Sequence, residues 1–195
     1  MRQHNVFPEC NVDTNLVGFI LGGYAKHKSC CNEVVKAVNT SDGFAVGIID
    51  ADKRQATLDT GFIRYNQPEE IENKNTHLTM YIHSDKKRYV FTVAPAMDQF
   101  ILDASKGVGV NMKAFGYPSS LDKFKKETKR IQASSDAKLR RLFQEIIDYP
   151  ELSRFRNTIK YLMTWQYDAD PTVAQQFFDG KLNNDDLTAL LQGVR

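Results

Sequence analysis

The positions of apolar residues divide the chain into short runs and segments with helical spacing. Residues 44–49 form an unbroken apolar run, which is typical of a buried parallel strand and too short for a helix. Further short runs predict strands at residues 4–8, 78–82 and 89–93, with a hairpin connection across residues 84–87. The first half of the chain therefore contains a predicted β-sheet.

Segments with apolar residues at helical spacing lie between and after these runs. A helix is predicted over residues 13–21 because Asp13 is a good N-cap and Gly22 a good terminator, and Ser29 predicts the start of a second helix. Residues 53–76 are polar and turn-rich, which predicts a loop with one short helix. The remaining predicted helices cover residues 96–104, 121–131, 137–147, 151–165, 171–178 and 185–191.

This order of elements predicts the fold class and the domain organisation. Alternation of strands and helices over residues 1–117 is the pattern of an α/β domain with flanking helices. Residues 118–195 carry only helical patterns and form a predicted helical C-terminal region. A chain of 195 residues is long enough to bury one substantial core.

Composition excludes some classes of protein. Apolar residues make up 42% of the chain and charged residues 26%, as in ordinary globular proteins. Apolar stretches fall well short of the roughly 20 residues that span a bilayer, so no membrane association is expected. The first residues lack the apolar segment of a secretory signal, and we therefore expect a cytoplasmic protein.

The cysteines add little chemistry. Cys10, Cys30 and Cys31 are odd in number, and two adjacent cysteines do not easily form a disulfide. A zinc site with His27 is conceivable, but the spacing is not that of common zinc motifs. Small, partly buried thiols are the favoured interpretation.

Positive charge is concentrated in one segment, although the formal net charge is only +2. Residues 123–141 contain eight lysines and arginines, and such a surface can meet phosphates. Acidic residues interrupt the segment, so a solvated helix surface is the favoured interpretation.

Acidic residues follow three predicted strands. Glu9 closes the first strand, Asp50 and Asp52 close the second, and Asp98 follows the strand that ends at Val93. In an open α/β sheet, ligands bind beyond the carboxyl ends of the strands. Clustered carboxylates repel one another unless a cation such as Mg²⁺ is bound. The alternative is that Asp50 and Asp52 simply begin a turn.

The order of Glu9, a helix with Asp13, and then Asp50-Ala51-Asp52 resembles the TOPRIM domain of topoisomerases, primases and OLD-family nucleases. The resemblance covers roughly residues 4–115 and implies a Rossmann-like fold. It also implies that Asp50 and Asp52 bind Mg²⁺ (or Mn²⁺) and that Glu9 joins metal binding or acts as acid or base. Residues 92–102 resemble a stretch of some stand-alone TOPRIM-like proteins, which implies that Asp98 is a further acid near the metal.

Two classes of function follow from the resemblance. The first is a metal-dependent phosphoryl-transfer enzyme that cuts nucleic acid, in a bacterial or mobile-element setting such as host defence. Lys53 and Arg54 would then contact a substrate phosphate, or they lie in a solvated turn. The second is a non-catalytic TOPRIM-like module that binds a protein or a nucleotide. A purely structural protein would leave the clustered acids unexplained, and the oligomeric state cannot be derived.

Overall fold

The computed structural model describes residues 5–23, 25–51, 57–72, 74 and 76–193. The strands are β1 (Val6–Pro8), β2 (Ala45–Asp50), β3 (Phe62–Arg64), β4 (Leu78–His83) and β5 (Arg88–Val93). The α-helices are α1 (Asn11–Leu21), α2 (Cys31–Asn39), α3 (Glu69–Glu72), α4 (Met97–Gly107), α5 (Leu121–Thr128), α6 (Ala137–Ile146), α7 (Pro150–Trp165), α8 (Pro171–Asp179) and α9 (Asn184–Gln192). The fold is therefore mixed α/β, as predicted.

The five strands form one open mixed sheet in the order β1-β2-β5-β4-β3. Strands β1, β2 and β5 are parallel neighbours, whereas β4 pairs antiparallel with both β5 and β3. The carboxyl ends of the three parallel strands consequently share one edge of the sheet with the start of β4. We call this edge the carboxyl edge.

Helices cover the two faces of the sheet unequally. On the larger face, the Phe91 ring lies 5.5 Å from the ring of Phe155 in α7 and 5.8 Å from that of Phe178 in α8. Side chains from before and after residue 117 thus share one apolar cluster. The division into domains 1–117 and 118–195 stays a prediction.

On the other face, α2 packs directly against β2. A methyl group added to Gly47 would lie 3.0 Å from side-chain carbons of both Val34 and Val38. Glycine therefore permits the close approach of this helix to the strand that carries Asp50.

The helix after β1 begins earlier than the sequence pattern indicates. Cys10, not Asp13, is the N-cap of α1, because the Cys10 sulfur accepts a hydrogen bond from the Asp13 amide at 3.5 Å. The carboxylate of Asp13 accepts one from the Cys10 amide in return, at 3.3 Å, which completes a capping box. Gly22 ends the helix in a left-handed conformation, with φ of 62°.

Residues 57–72 contain one strand that the pattern does not predict. Strand β3 has three residues and pairs with β4, and its central Ile63 is 65% exposed. A strand with an exposed apolar centre lacks the alternation from which strands are predicted. The predicted short helix is present nearby as α3. Within the described ranges, no helix is both long enough and apolar enough to cross a membrane.

Candidate active site at the carboxyl edge of the sheet

Two predicted site residues meet where the parallel strands β1 and β2 end. Glu9 extends the pairing of β1, because its amide donates a hydrogen bond to the Ile48 carbonyl at 3.0 Å. The Glu9 carboxylate then accepts a hydrogen bond from the Asp50 amide, with 2.9 Å between Oε2 and N. Parallel pairing of the two strands therefore brings Glu9 and Asp50 together.

The side chain of Asp50 points to the start of α4, the helix that follows the neighbouring parallel strand β5. Its Oδ1 accepts a hydrogen bond from the Met97 amide, the first of α4, at 2.9 Å. Ala96, the N-cap of α4, has no side chain that can cap the helix. Asp50 therefore supplies the negative group that a helix N-terminus favours.

Asp13 lies behind this pair in a fully buried position. Its Oδ1 accepts a hydrogen bond from the Cys10 thiol, with 2.8 Å between sulfur and oxygen. Burial raises the pKa of Asp13 well above its ordinary value, and the negative charges of Asp50 and Glu9 raise it further. Burial, followed by the charges of Asp13 and Asp50, likewise raises the pKa of Cys10. The site thus gathers acidic groups whose ionised forms disfavour one another.

Asp98 lies in the first turn of α4 and is 7% exposed. The Thr128 hydroxyl at the end of α5 donates a hydrogen bond to its Oδ1 at 2.5 Å. Burial raises the pKa of Asp98, while the bond from Thr128 and the positive charges of Lys125 and Lys129 act in the opposite direction. Asp98 therefore connects the acidic residues to the basic helix α5. We call Glu9, Asp13, Asp50 and Asp98 the acidic cleft.

A cavity of about 230 Å³ opens into the acidic cleft. Its acidic lining is Glu9, Asp50 and Asp98, and its remaining lining is Cys10, Asn11, Val12, His27, Ser29, Thr128 and Lys129. The lining thus comes from the residues that follow β1, from α1 and the loop after it, and from β2, α4 and the end of α5.

The hydrogen bonds of His27 define its neutral form. The Thr14 hydroxyl donates its single proton to the Cys10 carbonyl at 2.8 Å, so it can only accept from His27 Nδ1, 3.1 Å away. Neutral His27 consequently carries its proton on Nδ1 and has an acceptor lone pair on Nε2.

Three predicted residues, Asp52, Lys53 and Arg54, lie outside the described residues, so the Asp50-Ala51-Asp52 motif is described only at its first two positions. The described part of the chain contains no group of three or more His, Cys, Asp or Glu side chains that could hold a metal ion. The carboxylate oxygens of Glu9, Asp50 and Asp98 at the cavity are the ligand type that Mg²⁺ and Mn²⁺ prefer, and they lie beside the thiol of Cys10 and the imidazole of His27.

The three cysteines are free thiols, as expected from their number and spacing. Cys31 is buried, whereas Cys10 and Cys30 are partly buried.

A second group of ionisable residues at the carboxyl edge was not predicted. His77, just before β4, directs Nδ1 to Glu151 Oε2 at 2.8 Å and Nε2 to Asp103 Oδ2 at 3.1 Å. The other oxygen of Glu151 accepts hydrogen bonds from the amides of His77 and Leu78, at 2.8 and 2.9 Å. We call His77, Asp103 and Glu151 the histidine cluster.

The histidine cluster is a compact, internally satisfied network. The His77 ring stacks on Phe100 with 4.9 Å between ring centres, and Glu151 is 1% exposed. Hydrogen bonding to Glu151 raises the pKa of His77, and Asp103 adds to the effect, although burial opposes it. In the sequence, His77 is 26 residues from Asp103 and 74 residues from Glu151, so no local pattern could have grouped the three.

Comparison with known proteins adds no further constraint on the site. No family model matches this chain, no curated protein matches it, and no solved structure matches it.

Proposed function

We propose that this protein is a Mg²⁺- or Mn²⁺-dependent phosphoryl-transfer enzyme, of nuclease type, with a TOPRIM-like site at the carboxyl edge. The observation that carries the proposal is the hydrogen bond from the Asp50 amide to the Glu9 carboxylate at 2.9 Å. It joins the two positions that the TOPRIM resemblance assigns to the metal site.

The electrostatics of the acidic cleft support a cation at this place. Asp13 is buried next to Asp50 and Glu9, and both neighbours raise its pKa. Buried carboxylates in such numbers are costly unless a positive charge or proton compensates them. A hard divalent cation held by carboxylate oxygens would provide that compensation.

Each acidic residue has a distinct proposed task. Glu9 and Asp50, together with Asp52, would hold the cation, while Asp98 lines the cavity and positions α5 through Thr128. Mg²⁺ bound there would supply charge neutralisation for a phosphodiester and lower the pKa of a bound water molecule. Lys53 and Arg54 are proposed phosphate contacts.

The arrangement of strands is compatible with a TOPRIM-like fold, which remains part of the proposal. The parallel strands β1, β2 and β5 lie side by side and end at the cavity. We further propose that the enzyme acts on nucleic acid in the cytoplasm, on the sequence grounds given above.

The proposal is tested by incubating the purified protein with plasmid DNA and with a structured RNA, with Mn²⁺ or with EDTA. We expect cleavage only with Mn²⁺, and a loss of at least about 100-fold in Asp50→Asn and in Glu9→Gln. Glu145→Gln changes an exposed carboxylate on α6 and is the matched control. Absence of Mn²⁺-dependent cleavage of either substrate would contradict the enzyme.

One observation favours the second candidate, a non-catalytic binding module. Glu9 Oε2 and Asp50 Oδ1 each accept a hydrogen bond from a backbone amide, so both carboxylates have structural tasks. A module of this kind would bind a nucleotide without turnover. Saturable binding of ATP or GTP by calorimetry, unchanged in Asp50→Asn and with no hydrolysis by the wild type, would support the module over the enzyme.

A further inference from the structure

Two lysines differ from the other basic residues around α5, one in the last turn of the helix and one at its C-cap. Lys125 and Lys129 are spaced i and i+4, so they lie on the same side of the helix. Lys129 lines the cavity, and the positive charges of both lysines act on Asp98. The basic segment thus turns one pair of ammonium groups toward the acidic cleft.

Within the described part of the chain, these two lysines do not take part in salt bridges. Arg130 on the same segment pairs with Glu127 at 3.0 Å. Among the described residues, neither Lys125 nor Lys129 forms a salt bridge, so an anion can approach both of their ammonium groups.

The end of α5 is fixed to the acidic cleft by two hydrogen bonds. The Thr128 hydroxyl donates to Asp98 at 2.5 Å, and the Asn11 side-chain amide donates to the Lys129 carbonyl at 3.2 Å. These bonds connect α5 to both α4 and α1, which present the acids. The backbone at the end of α5, from which both lysine side chains extend, is therefore anchored next to the acids.

We propose that Lys125 and Lys129 bind the phosphate backbone of a single nucleic acid strand that passes over the acidic cleft. This inference rests on the proposed function and names the surface that receives its substrate. A pair of lysines next to carboxylates suits a ligand with several phosphates. Some of these phosphates would contact the lysines, and another would contact a cation bound by the carboxylates. A single strand is favoured over a duplex because its flexible backbone can bring one phosphate to the cavity of about 230 Å³ while others meet the lysines.

The test is fluorescence anisotropy with a labelled single-stranded DNA of 20 nucleotides, in Ca²⁺ to keep the strand intact. We expect Lys125→Gln/Lys129→Gln to weaken binding about tenfold at low salt. The slope of log affinity against log salt should fall by about 1.4, since each phosphate contact on a single strand contributes about 0.7.

The matched control is Lys123→Gln/Lys126→Gln, which removes the same charge from exposed positions of α5. We expect this control to bind within about twofold of the wild type. Equal weakening by both pairs would reduce the effect to net charge and overturn the proposal. Unchanged binding in both pairs, or no binding by the wild type, would also overturn it.

The binding and cleavage experiments distinguish failure of this inference from failure of the proposed function. Mn²⁺-dependent cleavage by the wild type together with unchanged strand binding in Lys125→Gln/Lys129→Gln would overturn this inference alone. Strand binding that depends on this lysine pair, without any cleavage, would overturn the enzyme and keep the binding surface. Circular dichroism of both double variants confirms that each is folded before binding is measured.

Discussion

Two groups of carboxylates lie on the same edge of the sheet and are treated differently by the fold. In the histidine cluster, Glu151 and Asp103 hydrogen-bond to the two ring nitrogens of His77. Glu151 also accepts hydrogen bonds from two backbone amides. In the acidic cleft, Glu9 and Asp50 each accept a backbone amide, while Asp13 is buried against them.

Each group contains a residue whose pKa is raised, but the two shifts have opposite consequences for charge. Carboxylates raise the pKa of His77, so the histidine cluster favours a positive charge between negative ones. In the acidic cleft, burial and then the negative charges of Asp50 and Glu9 raise the pKa of Asp13, so this group resists its own ionisation. The first group is balanced by a side chain of the protein, whereas the second gains from an added cation or proton.

The contrast distinguishes acids that hold the fold together from acids that are suited to a ligand. Glu151 is 1% exposed and uses both oxygens within the protein. Glu9 and Asp50 line a cavity and lie next to a basic helix. Removing one partner from a buried, hydrogen-bonded pair is costly to the fold, whereas carboxylates gathered at a cavity are candidates for binding a ligand.

The largest expected effect on stability comes from removing the centre of the histidine cluster. Glu151→Ala leaves two amides and the imidazole of His77 without their acceptor in a buried position. We expect the free energy of unfolding in urea to fall by about 3–5 kcal/mol. Glu145→Ala, an exposed change, should leave it nearly unaltered. A loss below about 1 kcal/mol for Glu151→Ala would refute the structural assignment.

Metal binding provides the second test, because it should affect only one of the two groups. Mn²⁺ at about 100 times its dissociation constant should stabilise the wild type by about 2.7 kcal/mol, seen as a rise in melting temperature. Asp50→Asn should lose this response, whereas Asp103→Asn, in the histidine cluster, should retain it. Equal responses of both variants would show that the ion binds elsewhere.

The pH dependence of stability should identify His77. Because its folded pKa is raised above 6.5, its contribution is fully present below about pH 6.5 and is lost as pH rises through the folded pKa. We expect His77→Gln to be about 1–2 kcal/mol less stable than the wild type at pH 6. The two curves should converge at alkaline pH in urea titrations, and a constant difference would exclude an imidazolium.

The sequence predicts the strands that carry Glu9 and Asp50 because their signal is local. For Asp50, an unbroken apolar run that ends in an acid gives both the strand and the position of the carboxylate, and for Glu9 a shorter segment that ends at Pro8 does so. The neighbourhood of Glu9 and Asp50 then follows from the rule that parallel strands end at one edge of a sheet. Helices after residue 118 are likewise visible as repeats of apolar spacing.

Contacts between distant segments could not be predicted in this way. His77 and Glu151 are 74 residues apart, and Asp98 and Thr128 are 30 apart, so only the folded chain brings them together. The start of α1 was missed for a different reason. Cys10 is an uncommon N-cap, whereas Asp13 is of a type preferred there, and the pattern therefore favoured the wrong residue.

The smallest expected effect on stability comes from replacing the buried carboxyl group of Asp13, and it tests whether this residue is coupled to the proposed metal site. With its pKa raised, Asp13 costs stability as pH rises above about 3.8, so Asp13→Asn should flatten this loss. At pH 7 we expect a gain on the order of 1 kcal/mol in urea unfolding, because the neutral amide removes the cost of a buried charge. Its single oxygen still accepts from the Cys10 amide, while the hydrogen bond from the Cys10 thiol is lost. Asp42→Asn, at an exposed turn, is the control. Mn²⁺ should shrink the gain by neutralising Asp50 and Glu9, and a gain that Mn²⁺ leaves unchanged would separate Asp13 from the proposed metal site.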